Sequence, residues 1–162
     1  FFGVKIPPDM LGRPLRDTVA RDTPVREAAI FGHFGAHVNI SNGRYVYMRG
    51  PAGKNSPLFQ YTHMPTHMRH TFDVSELRNI TLARPFSFTK GCRTMKIAGR
   101  CWGGDKELDT RLYDLEADPH QQHPIMNARI EKMMTAHLVR LLRENDAPPE
   151  QYVRLGLKQR GA

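Results

Sequence analysis

Residues 37–48, HVNISNGRYVYM, consist of two extended segments on either side of Asn42-Gly43. Apolar and polar residues alternate in the first segment, as in a strand with one buried face. Asn-Gly favours the two positive-φ positions of a type I′ turn. The stretch therefore predicts an antiparallel hairpin with Tyr45 and Tyr47 on its core face. The register that this turn predicts pairs Ser41 with Arg44, Ile40 with Tyr45 and Val38 with Tyr47.

Shorter patterns on both sides of the hairpin predict the remaining strands. An apolar run at 27–31, bounded by Arg26 and Gly32, predicts a strand before the hairpin. The turn-rich start predicts a loop with one helical turn at 15–20. Asp73 and Glu76 have the spacing of a capping box and predict a short helix over 73–79. Further strands are predicted at 86–89, 95–97 and 110–115.

One amphipathic helix is predicted near the end of the chain, over 127–145. Apolar residues recur at helical spacing, Asn127 stands at the position of an N-cap, and Pro148-Pro149 ends the pattern. We expect Met134, Leu138 and Leu141 to pack against the sheet, with His137 on the same stripe. The predicted fold class is therefore α+β, a small antiparallel β-sheet packed against a long C-terminal α-helix.

The composition limits the kinds of partner that this chain could bind. The chain has 162 residues and a formal net charge of +8, which fits a nucleic-acid surface, a surface facing anionic substrates, or a basic fragment docked on a less basic partner. The basic residues are scattered and no nucleic-acid-binding signature accompanies them, so we do not expect nucleic-acid binding. No apolar run approaches the ~20 residues that cross a bilayer, so we expect no membrane segment. With two cysteines and no visible signal peptide, the expected compartment is the cytoplasm.

Histidines and cysteines are the residue types in this chain that could bind a metal or act as nucleophiles. Among the eight histidines, His63, His67 and His70 have helical spacing, but Pro65 interrupts a regular helix, so we expect no metal site in this chain. Cys92 and Cys101 match no nucleophile motif and are interpreted as structural thiols, with a reactive thiol or a mutual disulfide as the open alternatives. No catalytic residue is predicted.

Three passages, in this order along the chain, resemble one family. GVKIPPDMLGRPL at 3–15 is similar to the passage that follows the catalytic half of bacterial sulfatases. NGRYVY at 42–47, with the strand before it, resembles the strands that come next. LYDLEADP at 112–119 is similar to the passage before the final helix. The chain thus resembles the C-terminal subdomain of an arylsulfatase-like hydrolase of the alkaline phosphatase superfamily.

The resemblance implies a division into a connecting segment from a missing catalytic domain (1–26), the sulfatase C-terminal subdomain (27–146) and a C-terminal tail (147–162). We expect the start at Phe1 to be an internal cut, and the residues from Tyr152 onward to lie over the surface or to fray. Its implied partners are the missing N-terminal catalytic domain and an anionic sulfate-ester substrate.

The family's cofactors are a divalent cation, usually calcium, and a formylglycine made from the Cys or Ser of a C/S-x-P-x-R motif. Neither Cys92 nor Cys101 has Pro at +2 and Arg at +4, so no cofactor is expected in this fragment itself. The resemblance implies that the subdomain forms one wall of the substrate cleft. The candidate substrate-binding residues are His33, His37, Lys90 and Arg93. Two alternatives stay open: a phosphonate or phosphate ester hydrolase fragment of the same superfamily, and a non-catalytic basic binding module.

Overall fold

The computed structural model describes residues 3–7, 10–64, 66–67, 69–101 and 108–158. Within these residues the chain forms short helices, short antiparallel strands and one long helix near its end. In chain order they are α1 (Arg16–Arg21), β1 (Ala29–Gly32), β2 (Val38–Ser41), β3 (Tyr45–Arg49), β4 (Phe59–Thr62), α2 (Val74–Leu77), β5 (Thr81–Leu82), a 3₁₀ helix (Ser87–Thr89), β6 (Met95–Ala98), β7 (Arg111–Asp114), α3 (Ala128–Glu144) and α4 (Pro149–Arg154).

The larger sheet has four antiparallel strands in the order β1-β2-β3-β7. The predicted hairpin is present as β2 and β3, but its predicted register is wrong by two residues, because Ile40 pairs with Tyr47 rather than Tyr45. In the turn only Gly43 has positive φ, at 95°, as expected when Gly stands first in a type II′ turn. A shift of two residues preserves the alternation of faces. The two tyrosines therefore still lie on the core face with Ile40.

The main core lies between this sheet and α3. Ile40, Tyr47 and Leu112 are at most 1% exposed and pack with Met134 and Leu138 of the helix, which are fully buried. Burial of this apolar stripe is what holds α3 to the sheet. The mixed α+β class with antiparallel strands and a C-terminal helix is confirmed.

Helix α3 begins and packs as its sequence predicts. The Asn127 Oδ1 accepts hydrogen bonds from the backbone N–H groups of Arg129 and Ile130, both at 3.1 Å, so the N-cap is confirmed. Leu141 is half-buried against the core, and its neighbour Leu142 is buried more deeply.

The smaller sheet has three strands in the order β4-β6-β5. Strand β4 lies in a region that the sequence patterns leave irregular, while β6 confirms the strand predicted at 95–97. Tyr61 pairs with Lys96, and Lys96 pairs with Thr81 on its other side. Directly paired residues share a face, so these three side chains lie together on one face of the smaller sheet.

Several smaller predictions are confirmed with shifted ends. Strand β1 begins at Ala29, two residues later than the predicted start at 27, and ends at Gly32, one residue later than the predicted end at 31. Helix α1 covers most of the predicted turn at 15–20 and has no buried residue. In α2 the Glu76 Oε2 accepts a hydrogen bond from the Asp73 N–H at 2.8 Å, which is one half of a capping box. None of the helices in the described ranges is long and apolar enough to cross a membrane.

The strand predicted at 86–89 is wrong, since Ser87–Thr89 is a 3₁₀ helix. The Thr89 hydroxyl accepts a hydrogen bond from the Phe86 N–H at 3.0 Å, and this local bond competes with strand pairing. Lys90 and Gly91 then have positive φ, 52° and 82°, which turns the chain toward β6.

The prediction that the chain lies over the surface or frays from Tyr152 onward is also wrong for residues 152–158, and its last part, 159–162, lies outside the described residues. Pro149 stands at the first helical position of α4, where its fixed φ favours a helix start. Tyr152 is 3% exposed and Leu155 is fully buried, and both belong to the core beside α3. The Pro-Pro pair that ends one helix therefore also starts the next.

Candidate functional site

Two of the predicted substrate contacts, His33 and His37, lie in the connection between β1 and β2. His33 is exposed, and its carbonyl accepts a hydrogen bond from the Ala36 N–H at 3.2 Å, which closes a turn. The His37 side chain is half-buried, with its Nε2 2.8 Å from the carbonyl oxygen of Asp109. His37 is thus held in place beside the segment that leads into β7, whereas His33 faces solvent.

The other two predicted contacts, Lys90 and Arg93, lie between the 3₁₀ helix and β6. Both are exposed, and Lys90 has the left-handed backbone conformation that ends the 3₁₀ helix. They belong to the smaller sheet, and the two histidines belong to the larger one. The structure therefore puts the four residues in two separate connections, one on each sheet.

A groove of about 830 Å³ opens beside the smaller sheet. Its floor is the sheet face that carries Tyr61, Thr81 and Lys96. One wall is the segment 82–87, and the other is the junction between α3 and α4, residues 146–150. We call this space the groove. None of the four residues predicted from the sequence lines it.

A polar cluster on the floor ties the smaller sheet to α4. The Tyr61 hydroxyl donates a hydrogen bond to the Glu150 carboxylate, and the Lys96 Nζ lies 2.6 Å from the same carboxylate. The Lys96 Nζ is also 4.1 Å from the centre of the Phe59 ring, in a cation–π contact. Glu150 is thus fully engaged by partners on the sheet.

The pKa values of this cluster follow from burial and these bonds. Burial, followed by the bond to Glu150, raises the pKa of Tyr61 well above its ordinary range. Burial alone would raise the pKa of Glu150, but the hydrogen bonds from Lys96 and Tyr61 outweigh it and lower that pKa. At neutral pH the cluster therefore holds a neutral tyrosine and a carboxylate.

A second polar link crosses the groove from the 3₁₀ helix to the α3–α4 junction. The Ser87 N–H donates to the Asp146 Oδ2 at 2.6 Å. Hydrogen bonds from the hydroxyl and the backbone N–H of Ser87 lower the pKa of Asp146. Both acidic side chains of the groove are therefore ionised and already paired within the chain.

Three aromatic rings extend from the groove to the surface. Phe86 meets Tyr61 edge to face, with the ring centroids 5.2 Å apart. Phe86 also stacks on Phe88 with the centroids 5.4 Å apart and an interplanar angle of 6°. Phe88 is 60% exposed. The 3₁₀ helix thus presents a fixed aromatic surface beside the groove.

The structure also shows the surroundings of the histidines and cysteines considered as possible metal ligands or reactive thiols. The His67 Nε2 lies 3.0 Å from the Glu76 carboxylate, and its ring contacts those of His70 and Phe72. In the described residues no group of three or more His, Cys, Asp or Glu side chains could hold a metal ion. Cys92 is exposed, Cys101 is half-buried, and neither forms a disulfide, so the mutual disulfide is excluded.

Sequence reasoning missed Arg154, which is 2% exposed. Its guanidinium donates to the Ala36 carbonyl at 3.2 Å, to the Asn55 Oδ1 at 2.7 Å and to the Gln151 Oε1 at 2.7 Å. Burial lowers the pKa of Arg154. A basic tail gives no local signal that one of its arginines is buried, since two of the acceptors, Ala36 and Asn55, come from distant segments.

Comparison with known proteins identifies no relative: no family model matches the chain, and no curated protein or solved structure matches it significantly.

Proposed function

We propose that this chain is the C-terminal subdomain of a sulfatase-like hydrolase, without the catalytic centre and forming one wall of the substrate cleft. The observation that carries the proposal is a contact between two of the three sulfatase-like passages. NGRYVY at 42–47 and LYDLEADP at 112–119 are far apart in sequence, yet they pair as adjacent strands. Tyr45 pairs with Asp114, Val46 with Tyr113 and Tyr47 with Leu112.

The polar residues of the two passages also bind each other. Arg44 Nη2 lies 3.0 Å from Asp114 and Arg44 Nη1 lies 3.1 Å from Glu116. The Leu115 N–H donates to the Arg44 carbonyl at 2.8 Å. These contacts explain why both passages need these residue types. They support the view that the two passages belong to one structural unit.

The last passage also directs the chain toward α3. The Asp118 Oδ2 accepts a hydrogen bond from the His123 N–H at 2.7 Å, and the Ile125 N–H donates to the Leu112 carbonyl at 2.8 Å. The segment after β7 is thereby held along the sheet until Asn127 starts the helix. A small antiparallel sheet covered by the final helix is the arrangement that the sulfatase resemblance implies for this region.

In this proposal the chain contributes cationic and imidazole side chains to the cleft, from His33, His37, Lys90 and Arg93. Lys90 and Arg93 are exposed, and their positive charges would attract an anionic ester. Calcium and formylglycine would belong to the catalytic domain and would supply charge neutralisation and the attacking oxygen. The residues of this chain bind and orient the substrate.

The coding sequence upstream of Phe1 provides the first test. We expect it to encode a C/S-x-P-x-R motif and Asp or Asn ligands for a divalent cation. The longer protein should hydrolyse 4-nitrophenyl sulfate or an aryl phosphonate ester in the presence of calcium. Residues 1–162 alone should show no turnover and no tight calcium binding by calorimetry, because the described residues contain no group of three or more Asp, Glu, His or Cys side chains that could hold a metal ion.

Variants of the longer protein test the cleft wall. Lys90→Ala and Arg93→Ala should raise KM for the anionic ester with little change in kcat, since they contribute to binding. Lys132→Ala, an exposed site on α3, is the matched control and should change neither constant.

Three outcomes would contradict the proposal. One is turnover by residues 1–162 that disappears in Cys92→Ala or Cys101→Ala, because a thiol of this chain would then be the nucleophile. Another is the lack of any catalytic segment in the gene together with salt-sensitive retention on a polyanion, which would favour the binding module. The third is a longer enzyme whose KM is insensitive to both cleft-wall variants.

A further inference from the structure

The groove carries an imbalance of charge once its internal pairs are taken into account. Asp146 is bound by Ser87, and Glu150 is bound by Lys96 and Tyr61. These partners are side by side with the carboxylates and keep them ionised. Lys96 offsets the charge of Glu150. The groove lining as a whole has one more basic than acidic side chain, with Arg84, Lys96 and Arg143 against Asp146 and Glu150.

Arg84 is the arginine available to a ligand. It is exposed on the wall formed by residues 82–87 and forms no hydrogen bond or ion pair within the described part of the chain. Arg143, at the end of α3, lines the opposite side. A guanidinium offers a planar fork of N–H donors that matches a carboxylate, phosphate or sulfate group.

The walls beside Arg84 are apolar and rigid. Leu82, Pro85 and Phe86 form one side, and Pro148 and Pro149 form the other. The proline rings have no side-chain freedom to lose, and Phe86 is fixed by its contacts with Tyr61 and Phe88. An apolar body placed between these walls would be bound at little cost in conformational entropy.

The size of the groove limits the ligand. A volume of about 830 Å³ lies within the roughly 300–1,000 Å³ of small-molecule sites. The groove combines apolar and charged side chains, and it holds titratable residues with shifted pKa values, which are features of binding sites. The groove therefore fits a small organic molecule.

We propose that the groove binds a small organic anion, with its carboxylate, phosphate or sulfate group on Arg84 and its apolar or aromatic body between Phe86 and the Pro148-Pro149 pair. Binding is non-covalent and involves no chemical step. This site would exist whether or not the chain belongs to a sulfatase, because the argument uses only the groove's own residues.

Titrations of residues 1–162 with matched naphthalene probes test the site. The probes are naphthalene-2-carboxylate, 2-naphthyl phosphate, naphthalene-2-sulfonate and neutral 2-naphthol. Amide chemical shifts should move at the non-proline residues of 82–87 and 146–150 with the anionic probes. The three anions show which group Arg84 prefers. Affinity should fall as the salt concentration rises. The neutral probe should bind at least about tenfold more weakly, because it lacks the charge-assisted hydrogen bonds.

Three variants separate the role of Arg84 from a general charge effect. Arg84→Gln should weaken binding of the anions about tenfold or more and leave 2-naphthol unaffected. Arg84→Lys should lose less affinity for the anions, since lysine keeps the positive charge but lacks the planar fork of N–H donors. Arg78→Gln changes another exposed arginine outside the groove and should have no effect. Thermal melts of all variants verify that each is folded.

Equal binding of the neutral and anionic probes would overturn the proposal, because the groove would then recognise only the apolar body. The same conclusion follows if Arg84→Gln and Arg78→Gln weaken binding alike, or if shifts occur only outside the groove. Absence of binding by every probe at millimolar concentration would also refute it. None of these outcomes depends on sulfatase activity, which is measured separately on the longer protein.

Discussion

At the scale of single residues, Arg154 is the most unusual group in the described part of the chain. A buried charge normally needs an opposite charge or a full set of hydrogen bonds. Arg154 uses the second solution, with neutral oxygens from Ala36, Asn55 and Gln151. The Asn55 amide in turn donates to the Gly35 carbonyl at 2.7 Å. Arg154 thereby fastens α4 to the β1–β2 connection in which His37 lies.

Arg154→Met should destabilise the chain by about 2 kcal/mol or more, because the substitution leaves buried oxygen acceptors without a donor. Chemical denaturation measures the change in the free energy of unfolding. Arg78→Met, at an exposed position after α2, is the matched control and should stay within about 0.5 kcal/mol. Equal effects of the two variants would mean that the Arg154 contacts contribute nothing to stability.

At the scale of elements, the hairpin and α3 form the stable frame of the molecule. The turn of the hairpin is fixed by Asn42, whose Oδ1 accepts hydrogen bonds from the N–H groups of Arg44 at 3.2 Å and Tyr45 at 2.8 Å. This arrangement uses positive φ at Gly43 only. The helix is fixed from the other side, by an N-cap at Asn127 and by the buried stripe through Leu138.

Gly43→Ala should destabilise the hairpin by about 1–2 kcal/mol, since a Cβ disfavours the positive φ of 95°. Gly53→Ala is a close control, because an added Cβ meets nothing within 4 Å at either position and only Gly43 has positive φ. The control should be neutral or slightly stabilising. Thermal unfolding of the two variants side by side measures the difference, and a destabilisation by Gly53→Ala as large as that by Gly43→Ala would contradict the backbone argument.

Leu138→Ala should cost about 2–5 kcal/mol, because Leu138 is fully buried between α3 and the larger sheet. Met133→Ala, on the same helix at 38% exposure, should cost much less. Urea denaturation of both variants gives the comparison. A loss below about 0.5 kcal/mol for Leu138→Ala would show that the stripe is not part of the core.

At the scale of the whole molecule, the two sheets are joined to the helices in different ways. The larger sheet is held to α3 by apolar contacts, whereas the smaller sheet is linked to the α3–α4 junction by Ser87–Asp146 and by Tyr61 and Lys96 with Glu150. Hydrogen bonds lower the pKa values of both carboxyls. The link between the smaller sheet and the α3–α4 junction should therefore weaken in acid.

The sign of this pH dependence follows from proton linkage. A carboxyl whose pKa is lower in the folded state binds fewer protons there than in the unfolded chain. Its stabilising contribution is complete above the ordinary pKa near 4 and disappears as the pH falls through the lower folded value. Thermal unfolding midpoints should therefore decrease progressively below about pH 4.

Asp146→Asn isolates one of these groups. The variant should unfold at a lower temperature than the wild type at pH 7, because an amide accepts more weakly than a carboxylate. The difference should shrink toward pH 2, where the wild-type carboxyl is protonated as well. Asp17→Asn, on the exposed helix α1, serves as the control. A difference between wild type and Asp146→Asn that does not vary with pH would contradict the linkage argument.

The sequence by itself determined those features that depend on neighbours along the chain. Alternation placed Tyr45 and Tyr47 on the core face, helical spacing placed Met134 and Leu138 inside, and Asn127 started the helix. Each signal arises within a few residues, from side-chain periodicity or a capping hydrogen bond. The α+β class could be predicted for this reason.

Only the tertiary structure decided the features that depend on distant partners. Alternation is unchanged by a two-residue shift, so the pairing of Ile40 with Tyr47 could not be predicted from the pattern. The 3₁₀ helix places its Ser87 N–H on Asp146, and the burial of Arg154 needs Ala36 and Asn55. The groove likewise combines the smaller sheet with the α3–α4 junction. Such contacts join residues tens of positions apart, and no local pattern in the sequence carries them.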